Sequence, residues 1–245
     1  MIKKYKNKKI LVVIPARLKS TRLLKKLLRK IHGIPMVIRA AKKAESVGVG
    51  EVIVAADSKT ILNVCDNFKI NSIRTSINHK SGSDRVHEAY TKIKENFDLV
   101  VNLQGDLPLF RDELLLKTID TFNDKSTEIA TAVCELKENE LKDLNVVKSI
   151  VKWSSDGVGR ALDFVRKSTK GKLFHHIGIY VYTPKVLQKF VNLRQTRNEI
   201  IRKLEQMRAL DNSITINVAK VKHNPPSVDT LDDLKKIRKI IKNKL

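Results

Sequence analysis

The N-terminal sequence ILVVIPARLKSTR, residues 10–22, joins an uninterrupted apolar run to a basic loop. The run Ile10–Ile14 contains no polar residue, which predicts a short strand buried on both faces, and Pro15 ends it. The loop from Pro15 to Lys26 carries five cations and two hydroxyls. Cations and N–H donors after a buried strand suit a triphosphate, although neither glycine-rich phosphate-loop motif occurs. A solvated basic loop is the alternative interpretation.

Strand-like and helix-like segments alternate through the first half of the chain. The predicted strands cover residues 10–14, 52–56, 99–103 and 129–135, and the predicted helices cover 36–47, 58–68, about 83–97 and 111–122. Ser58 is the predicted N-cap of the second helix, and Ser83 or Asp84 that of the third. This alternation predicts an α/β fold with a mostly parallel, doubly wound, Rossmann-like sheet.

The second half of the chain is richer in β-type residues. Runs at 146–153, 161–165 and 177–182 predict an antiparallel elaboration, or β-rich subdomain, around residues 145–185. A helix over 197–210, a strand over 214–219 and a helix over 231–242 follow in the prediction. Because no internal repeat or low-complexity linker interrupts the chain, we expect one domain over residues 1–245.

Composition excludes several classes of protein. Apolar residues make up 42% of the chain, which argues against disorder. No apolar stretch approaches the roughly 20 residues of a membrane span, so we expect no membrane insertion. The basic start is followed by an apolar run too short for a secretory signal. Cys65 and Cys134 lack metal-type spacing, which favours a reduced, cytoplasmic protein.

The formal net charge is +23, which raises the possibility of nucleic-acid binding. The lysines are spread over nearly every segment instead of forming one stripe, and no nucleic-acid-binding motif is recognisable. We therefore expect no nucleic-acid partner. A polyanionic small substrate such as a nucleoside triphosphate is compatible with the same charge.

Polar residues follow several of the predicted strands, where ligands bind in open parallel sheets. Asp106 comes after the strand 99–103, next to a glycine that allows close approach, and suits a Mg²⁺ ligand. Asp229 precedes the last helix and is either a second metal ligand or the N-cap of that helix. Thr230 is the other candidate for the N-cap. His176 is either an anion-binding residue or an ordinary half-buried strand histidine.

Short motifs run in a fixed order along the chain. They are VVIPAR at 12–17, STRL at 20–23, GIPM at 33–36, VAAD at 54–57, HKSGSDR at 79–85, VNLQGDLP at 101–108, NVVK at 145–148, HIGIY at 176–180, KLEQMR at 203–208 and VDTLDDL at 228–234. Each is weak alone, but the ordered set covers nearly the whole chain. Together they resemble the 3-deoxy-manno-octulosonate (Kdo) cytidylyltransferases.

This resemblance implies a nucleotidyltransferase sheet and a reaction in which CTP activates the acidic sugar Kdo, giving CMP-Kdo and pyrophosphate for lipopolysaccharide synthesis. It also implies a Mg²⁺ requirement and a homodimer. By motif position, the catalytic residues would be Arg17, Lys26, Asp106 and Asp229, with Asp106 and Asp229 holding the metal. The substrate-binding residues would be Arg22 near the triphosphate, Ser81, Gly82, Arg85 and Gln104 around the cytidine and phosphates, and His176, Tyr180, Glu205 and Gln206 at the sugar.

The chain departs from the family pattern at several places. Leu24-Lys25-Lys26-Leu27 stands where the family usually has Pro-Gly-Lys-Pro, and Leu107 replaces an acidic residue. Asp163 and Val165 replace Tyr and Ser, and the stretch 166–174 is shorter than the family's loop. Two alternatives therefore stay open: a cytidylyltransferase for another acidic sugar such as a sialic acid, and a family member that binds nucleotide with little activity.

Overall fold

The computed structural model describes residues 4–155, 157–169 and 171–242. These fall into two compact units, Met1–Phe110 with Pro225–Leu245 and Arg111–Asn224. The single-domain organisation expected from the sequence stays a prediction.

The first unit contains a four-stranded parallel sheet. Its elements in chain order are β1 (Lys4–Tyr5), β2 (Lys8–Ala16), β3 (Lys30–Ile31), β4 (Ile34–Pro35), α1 (Met36–Val47), β5 (Glu51–Ala56), α2 (Lys59–Asn67), β6 (Ser72–Arg74), α3 (Gly82–Ile93) and β7 (Leu99–Asn102). The parallel strands run in the order β6-β5-β2-β7. Residues 10–14 of β2 are fully buried, as the apolar run predicts, because helices cover the sheet.

The second unit is mostly antiparallel. Its elements are α4 (Asp112–Asp120), β8 (Ile129–Glu135), β9 (Lys148–Ser155), β10 (Val158–Val165), β11 (Leu173–Tyr182), α5 (Pro184–Asn192), α6 (Arg197–Arg202), α7 (Met207–Asp211) and β12 (Ile216–Lys220). The strands pair in the order β11-β8-β12-β10-β9, and β9 also pairs with β11. Only β8 and β12 are parallel in this set. The α/β class and the antiparallel elaboration of the second half are confirmed.

The final helix, α8 (Leu231–Lys242), belongs to the first unit. Its buried residues are Leu234, Ile237 and Ile241, one apolar face at helical spacing. Within the described residues, no helix has the length and apolar character needed to cross a membrane.

The single helix predicted over 197–210 is wrong. The structure has two short helices, α6 and α7, because Lys203 takes the left-handed conformation and ends α6. Two apolar residues of this segment are not buried: Ile200 and Ile201 are 60% and 66% exposed. The buried residues of this segment include Glu199 and Arg208, which form an ion pair of 2.6 Å.

Two other local predictions also need correction. Ser81, not Ser83 or Asp84, caps α3: its hydroxyl accepts from the Asp84 N–H while the Asp84 carboxylate accepts from the Ser81 N–H. That helix ends at Ile93 because Lys94 is left-handed. Ser58 does cap α2, as predicted, by accepting from the N–H of Ile61.

Candidate active site

A cavity of about 140 Å³ lies at the carboxyl ends of β2 and β7, in the first unit. Its lining residues are Pro15, Arg17, Ser20, Thr21, Arg22, Leu23, Lys26, Leu27, Gln104, Gly105, Asp106 and Asp229. Six of the residues to which the sequence motifs point therefore share one cavity: Arg17, Arg22, Lys26, Gln104, Asp106 and Asp229. The position agrees with the rule that ligands bind beyond the carboxyl ends of parallel strands.

The basic loop after β2 is held by hydrogen bonds at both ends. At its start, the Leu18 N–H donates to the Asp57 carboxylate at 2.9 Å. Further along, the Lys26 N–H donates to the Ser20 hydroxyl at 3.1 Å, and that hydroxyl donates to the Leu23 carbonyl. These bonds fold the loop back on itself, so that Arg17, Arg22 and Lys26 face one cavity without a glycine-rich motif.

Lys25 occupies a backbone conformation that side chains disfavour. Its φ of 50° and ψ of 40° place it in the left-handed region, where glycine is the usual residue. This is the position at which the resembling family usually has glycine. The turn into the following 3-10 segment, Lys26–Leu28, therefore forms despite the substitution, with Lys25 bearing the conformational cost.

Lys26 joins the two aspartates of the cavity. Its Nζ lies 2.6 Å from Asp106 Oδ2 and 2.9 Å from Asp229 Oδ1. Burial lowers the pKa of the Lys26 ammonium, but the charges and hydrogen bonds of Asp106 and Asp229 outweigh this effect, and the net pKa is raised. Lys26 therefore stays charged, and one cation already bridges both carboxylates.

The backbone fixes this convergence. The Val228 N–H donates to the Asp106 carbonyl at 3.1 Å, tying the segment before α8 to the loop after β7. Gly105 lets the loop after β7 lie close to Ile14 and Leu27, because a Cβ there would lie 3.2 Å from Ile14 Cγ2 and 3.3 Å from Leu27 Cδ2. The predicted close approach at this glycine thus has a steric basis.

The two interpretations of Asp229 can be separated by its contacts. Thr230 Oγ1 accepts from the Asp233 N–H at 3.2 Å, so Thr230 provides the cap at the start of α8. The Asp229 carboxylate instead contacts Lys26 and lies 3.1 Å from Arg22 Nη2. Its side chain is directed into the cavity and away from the helix end.

Three of the four residues predicted around the cytidine and phosphates are absent from the residues that line this cavity. Ser81 caps α3, and Gly82 is the first residue of that helix. Arg85 is buried, and its guanidinium donates to the Thr75 hydroxyl at 2.6 Å and to the Ser76 carbonyl at 3.0 Å. Arg85 therefore braces the segment between β6 and α3 in this structure.

The predicted sugar residues form a separate group in the second unit. The His176 and Tyr180 rings lie 5.6 Å apart on β11. The pKa of Tyr180 is raised well above its usual value, first by burial and then by the charges of Tyr182 and Glu205. Glu205 thus lies close enough to act on Tyr180, and the adjacent Gln206 is buried.

His176 is neutral at physiological pH. Its Nε2 lies 3.0 Å from the Thr131 hydroxyl, and its ring packs against Phe164. Burial, and secondarily the charge of His175, lowers the pKa of His176 to about 3. An anion-binding role through positive charge is therefore unsupported, whereas hydrogen bonding by the neutral ring is compatible with this setting.

Asp57 is a positioning residue that our reasoning on individual residues missed. It is buried, accepts from the Leu18 N–H and lies 3.8 Å from Arg85 Nη2. The available signal was its place directly after β5, at the same edge of the sheet as the basic loop.

The donors in the cavity suit a magnesium ion. Asp106 and Asp229 supply hard carboxylate oxygens that already share one cation, and Mg²⁺ is typically held by one or two carboxylates together with substrate phosphates. Among the described residues there is no group of three or more His, Cys, Asp or Glu side chains arranged to hold a metal without such help. The residues therefore fit a metal that binds together with a nucleotide.

Comparison with known proteins gives a consistent result. A model of the cytidylyltransferase family matches residues 11–216. The 3-deoxy-manno-octulosonate cytidylyltransferase of Bartonella bacilliformis is 38% identical over 95% of this chain and 98% of its own length. The enzyme of the same name from Bartonella henselae is 40% identical over 94% of this chain and 98% of its own.

Solved structures agree with these relatives. CMP:2-keto-3-deoxy-manno-octonic acid synthetase complexed with CTP superposes with a TM-score of 0.90 at 32% identity, covering 97% of this chain and 100% of that one. A UDP-glucose pyrophosphorylase, at 15% identity and a TM-score of 0.70 over 97% and 99% of the two chains, shares the fold alone. On these matches, the chain belongs to the 3-deoxy-manno-octulosonate cytidylyltransferase family.

Proposed function

We propose that this chain transfers the cytidylyl group of CTP to Kdo, producing CMP-Kdo and pyrophosphate. In this reaction the anomeric hydroxyl oxygen of the sugar forms a bond to the α-phosphorus of CTP. The bond from that phosphorus to the bridging oxygen breaks, pyrophosphate leaves with the electron pair, and the hydroxyl proton passes to solvent. The observation that carries the proposal is the cavity in which Arg17, Arg22 and Lys26 meet Asp106 and Asp229.

The cations of the cavity would bind the triphosphate and offset the charge of the leaving pyrophosphate. Arg17 and Arg22 are exposed and could reach a ligand. Arg22 would leave its contact with Asp229 to do so. Positively charged donors placed where negative charge develops are the main source of rate enhancement in such transfers. Mg²⁺ held by Asp106 and Asp229 would supply further charge neutralisation at the transferred phosphate.

Lys26 would change partners when the substrates bind. Its ammonium bridges the two carboxylates that a divalent ion would take over, and the same side chain is long enough to turn toward a phosphate. The two carboxylates favour its charged form in the first position, and the negative charge of a phosphate would favour it in the second. The free site is thus kept electrostatically balanced by the residue that later contacts the nucleotide.

The sugar would be bound by polar groups of the second unit. His176 and Tyr180 are both uncharged at physiological pH, and Glu205 and Gln206 supply further hydrogen-bonding groups beside them. Such groups distinguish hydroxyl positions by hydrogen-bond geometry. This supports a polyhydroxylated sugar acid as the acceptor.

The deciding experiment incubates the purified protein with CTP, Mg²⁺ and Kdo and follows pyrophosphate release. We expect turnover with Kdo and at least about a hundredfold lower kcat/KM with a sialic acid, because buried polar groups reject mismatched hydroxyl patterns. Turnover with the sialic acid but not with Kdo would contradict Kdo as the acceptor and identify another acidic sugar as the substrate. CTP binding without pyrophosphate release in the presence of either sugar would identify a family member that has lost its activity.

We also propose that the protein is a cytoplasmic homodimer. Large apolar side chains of the second unit are exposed: Leu141, Leu144, Leu162, Ile200 and Ile201. Exposed apolar residues of this number suit a contact with a second copy. Light scattering should give twice the chain mass, and a monomeric mass at assay concentration would contradict the dimer. Fractionation of the cells that make it should recover it with the cytoplasm, where CTP is available, and recovery outside that fraction would contradict the location.

A further inference from the structure

The turn between α6 and α7 leads directly into two of the predicted sugar residues. Lys203 takes the left-handed conformation at φ 53°, and Glu205 and Gln206 follow two and three residues later. A left-handed lysine costs conformational energy, so contacts with the surrounding structure must hold this turn in place. The position of Glu205 and Gln206 therefore depends on those contacts.

Arg166, the residue after β10, holds the backbone of this turn. Its Nε donates to the Arg202 carbonyl at 3.2 Å, and its Nη2 donates to the Lys203 carbonyl at 3.2 Å. Its Nη1 donates to the Leu144 carbonyl at 3.1 Å, which joins the turn to the segment before β9. A guanidinium carries its N–H donors in one rigid plane, which suits a fixed set of carbonyl acceptors.

The side chain of Arg202 makes a second connection from the turn to β10. Its Nη1 lies 2.5 Å from Asp163 Oδ1 and 3.0 Å from the Phe164 carbonyl. Asp163 Oδ1 also accepts from the Phe164 N–H at 2.8 Å, which orients the carboxylate on its own strand. The two charged side chains are 32% and 30% exposed, so this ion pair adds little to global stability. Its effect is on local geometry.

Phe164 connects the same part of β10 to the other predicted sugar residues. Its ring packs edge-on against the His176 ring, with 4.9 Å between the ring centroids. The His176 ring lies 5.6 Å from that of Tyr180. The end of β10 therefore supports both parts of the predicted sugar group, through Asp163 on one side and Phe164 on the other.

From these contacts we infer that Asp163 is a positioning residue for sugar binding: by holding Arg202 against β10, it fixes the turn that leads into Glu205 and Gln206. The inference rests on the proposed function, since it assumes that these residues bind the sugar acceptor. Asp163 stands at a position where the chain departs from the family pattern, so the resemblance assigns it no role. Asp163 and Arg202 are absent from the lining of the cavity that would take CTP, so their effect should be confined to the sugar.

The test compares the kinetics of the wild type and Asp163→Asn, with Kdo and CTP varied separately. Asparagine keeps the size of the side chain and removes the charge that faces Arg202. We expect about a tenfold rise in KM for Kdo, with KM for CTP and kcat changed by less than about twofold. A merely structural residue would change both KM values together and lower the melting temperature. An unchanged KM for Kdo overturns the inference.

The ion pair of Glu135 and Lys220 provides the matched control. Glu135 Oε1 lies 2.5 Å from Lys220 Nζ, the same separation as in the Asp163–Arg202 pair, and both residues belong to the second unit. Glu135→Gln should leave both KM values as in the wild type. An equal rise in KM for Kdo in this variant would show that losing any surface ion pair of the unit has this effect, and would overturn the inference.

Arg202→Gln interrupts the same contact from its other side and decides the matter should Asp163→Asn fail to fold. We expect a rise in KM for Kdo at least as large as that of Asp163→Asn. Adding Asp163→Asn to Arg202→Gln should raise KM for Kdo no further, because the carboxylate acts through the guanidinium alone. A further rise in the double variant overturns the inference.

Hydrogen exchange gives a readout that is independent of turnover. In Asp163→Asn, backbone amides of residues 199–208 should exchange about tenfold faster, while those of β12 should be unchanged. Unchanged exchange over 199–208 overturns the inference even if KM for Kdo rises. A wild type that releases no pyrophosphate with Kdo overturns the proposed function and the inference together, whereas turnover with a KM for Kdo that is insensitive to both variants overturns the inference alone.

Discussion

The cavity of the first unit and the His176–Tyr180 pair of the second unit handle charge in opposite ways. In the cavity, Lys26 bridges Asp106 and Asp229 through contacts that a nucleotide and a metal can replace. In the second unit, His176 and Tyr180 are kept uncharged by burial. Under the proposed function, the phosphate end would work by exchange of ionic partners and the sugar end by hydrogen bonds from side chains that burial keeps uncharged.

Of the changes that test this contrast, removing a carboxylate from the cavity should have the largest effect on activity. We expect Asp106→Ala to lower Mg²⁺-dependent pyrophosphate release by about a thousandfold, because the transferred phosphate loses charge compensation and Lys26 loses a partner. The thermal unfolding midpoint should change little, since Asp106 is only partly buried. Asp232→Ala, an exposed aspartate at the start of α8, is the control and should retain activity. Equal activities in the two variants would remove Asp106 from the site.

Replacing the bridging cation should affect nucleotide and metal in opposite directions. We expect Lys26→Met to lower kcat/KM for CTP by about a hundredfold, since one phosphate-binding cation is lost. The same variant should bind Mg²⁺ more tightly in the absence of nucleotide, because no ammonium competes for Asp106 and Asp229. Calorimetric titration with MgCl₂ measures this, with Lys19→Met in the same loop as the control. Weaker metal binding in Lys26→Met would show that Lys26 does not occupy the metal position.

Lowering the pH should reduce stability through His176 of the second unit and leave the charge of Lys26 in the first unit unchanged. The pKa of His176 is lowered to about 3, whereas an unfolded histidine titrates near 6.5, so below that pH the unfolded chain binds a proton that the folded chain does not. The free energy of unfolding should therefore fall as pH falls, by about 2 kcal/mol at pH 5 from this residue. Lys26 keeps its charge throughout this window because its pKa is raised.

Urea unfolding at pH 7 and pH 5 measures this difference. Between pH 7 and pH 5, the wild type should lose about 2 kcal/mol more stability than His176→Gln. The exposed His223→Gln should behave like the wild type. An identical pH dependence of stability in wild type and His176→Gln would mean that His176 is not held neutral.

The sequence was sufficient to predict the elements whose pattern is continuous. The apolar run 10–14 and the periodic segment 36–47 appear in the structure because burial on two faces or on one face leaves a direct signature. The prediction of one helix over 197–210 fails because Lys203 takes the left-handed conformation and ends α6. The segment also buries an ion pair, Glu199 with Arg208, that a hydrophobic pattern does not register. Burial of a paired charge depends on three-dimensional neighbours, so local spacing cannot reveal it.

The site could be predicted in part for a similar reason. Asp106 and Asp229 are remote in sequence, and the Val228-to-Asp106 backbone bond together with the Lys26 bridge brings their carboxylates together. The hydrogen bond from the Asp233 N–H to the Thr230 hydroxyl shows that Thr230, and not Asp229, caps α8, a choice that the sequence left open.

The smallest effect concerns the basic loop itself, where Lys25 bears a left-handed backbone at φ 50°. Lys25→Gly should raise the free energy of unfolding by about 0.5 kcal/mol, since the roughly 1 kcal/mol left-handed cost disappears while glycine adds entropy to the unfolded chain. Activity should persist because Lys25 is absent from the lining of the cavity. Lys19→Gly, in the same exposed loop without positive φ, should destabilise instead. Chemical denaturation compares the pair, and a loss of stability in Lys25→Gly would show that the lysine side chain, not the backbone, governs this turn.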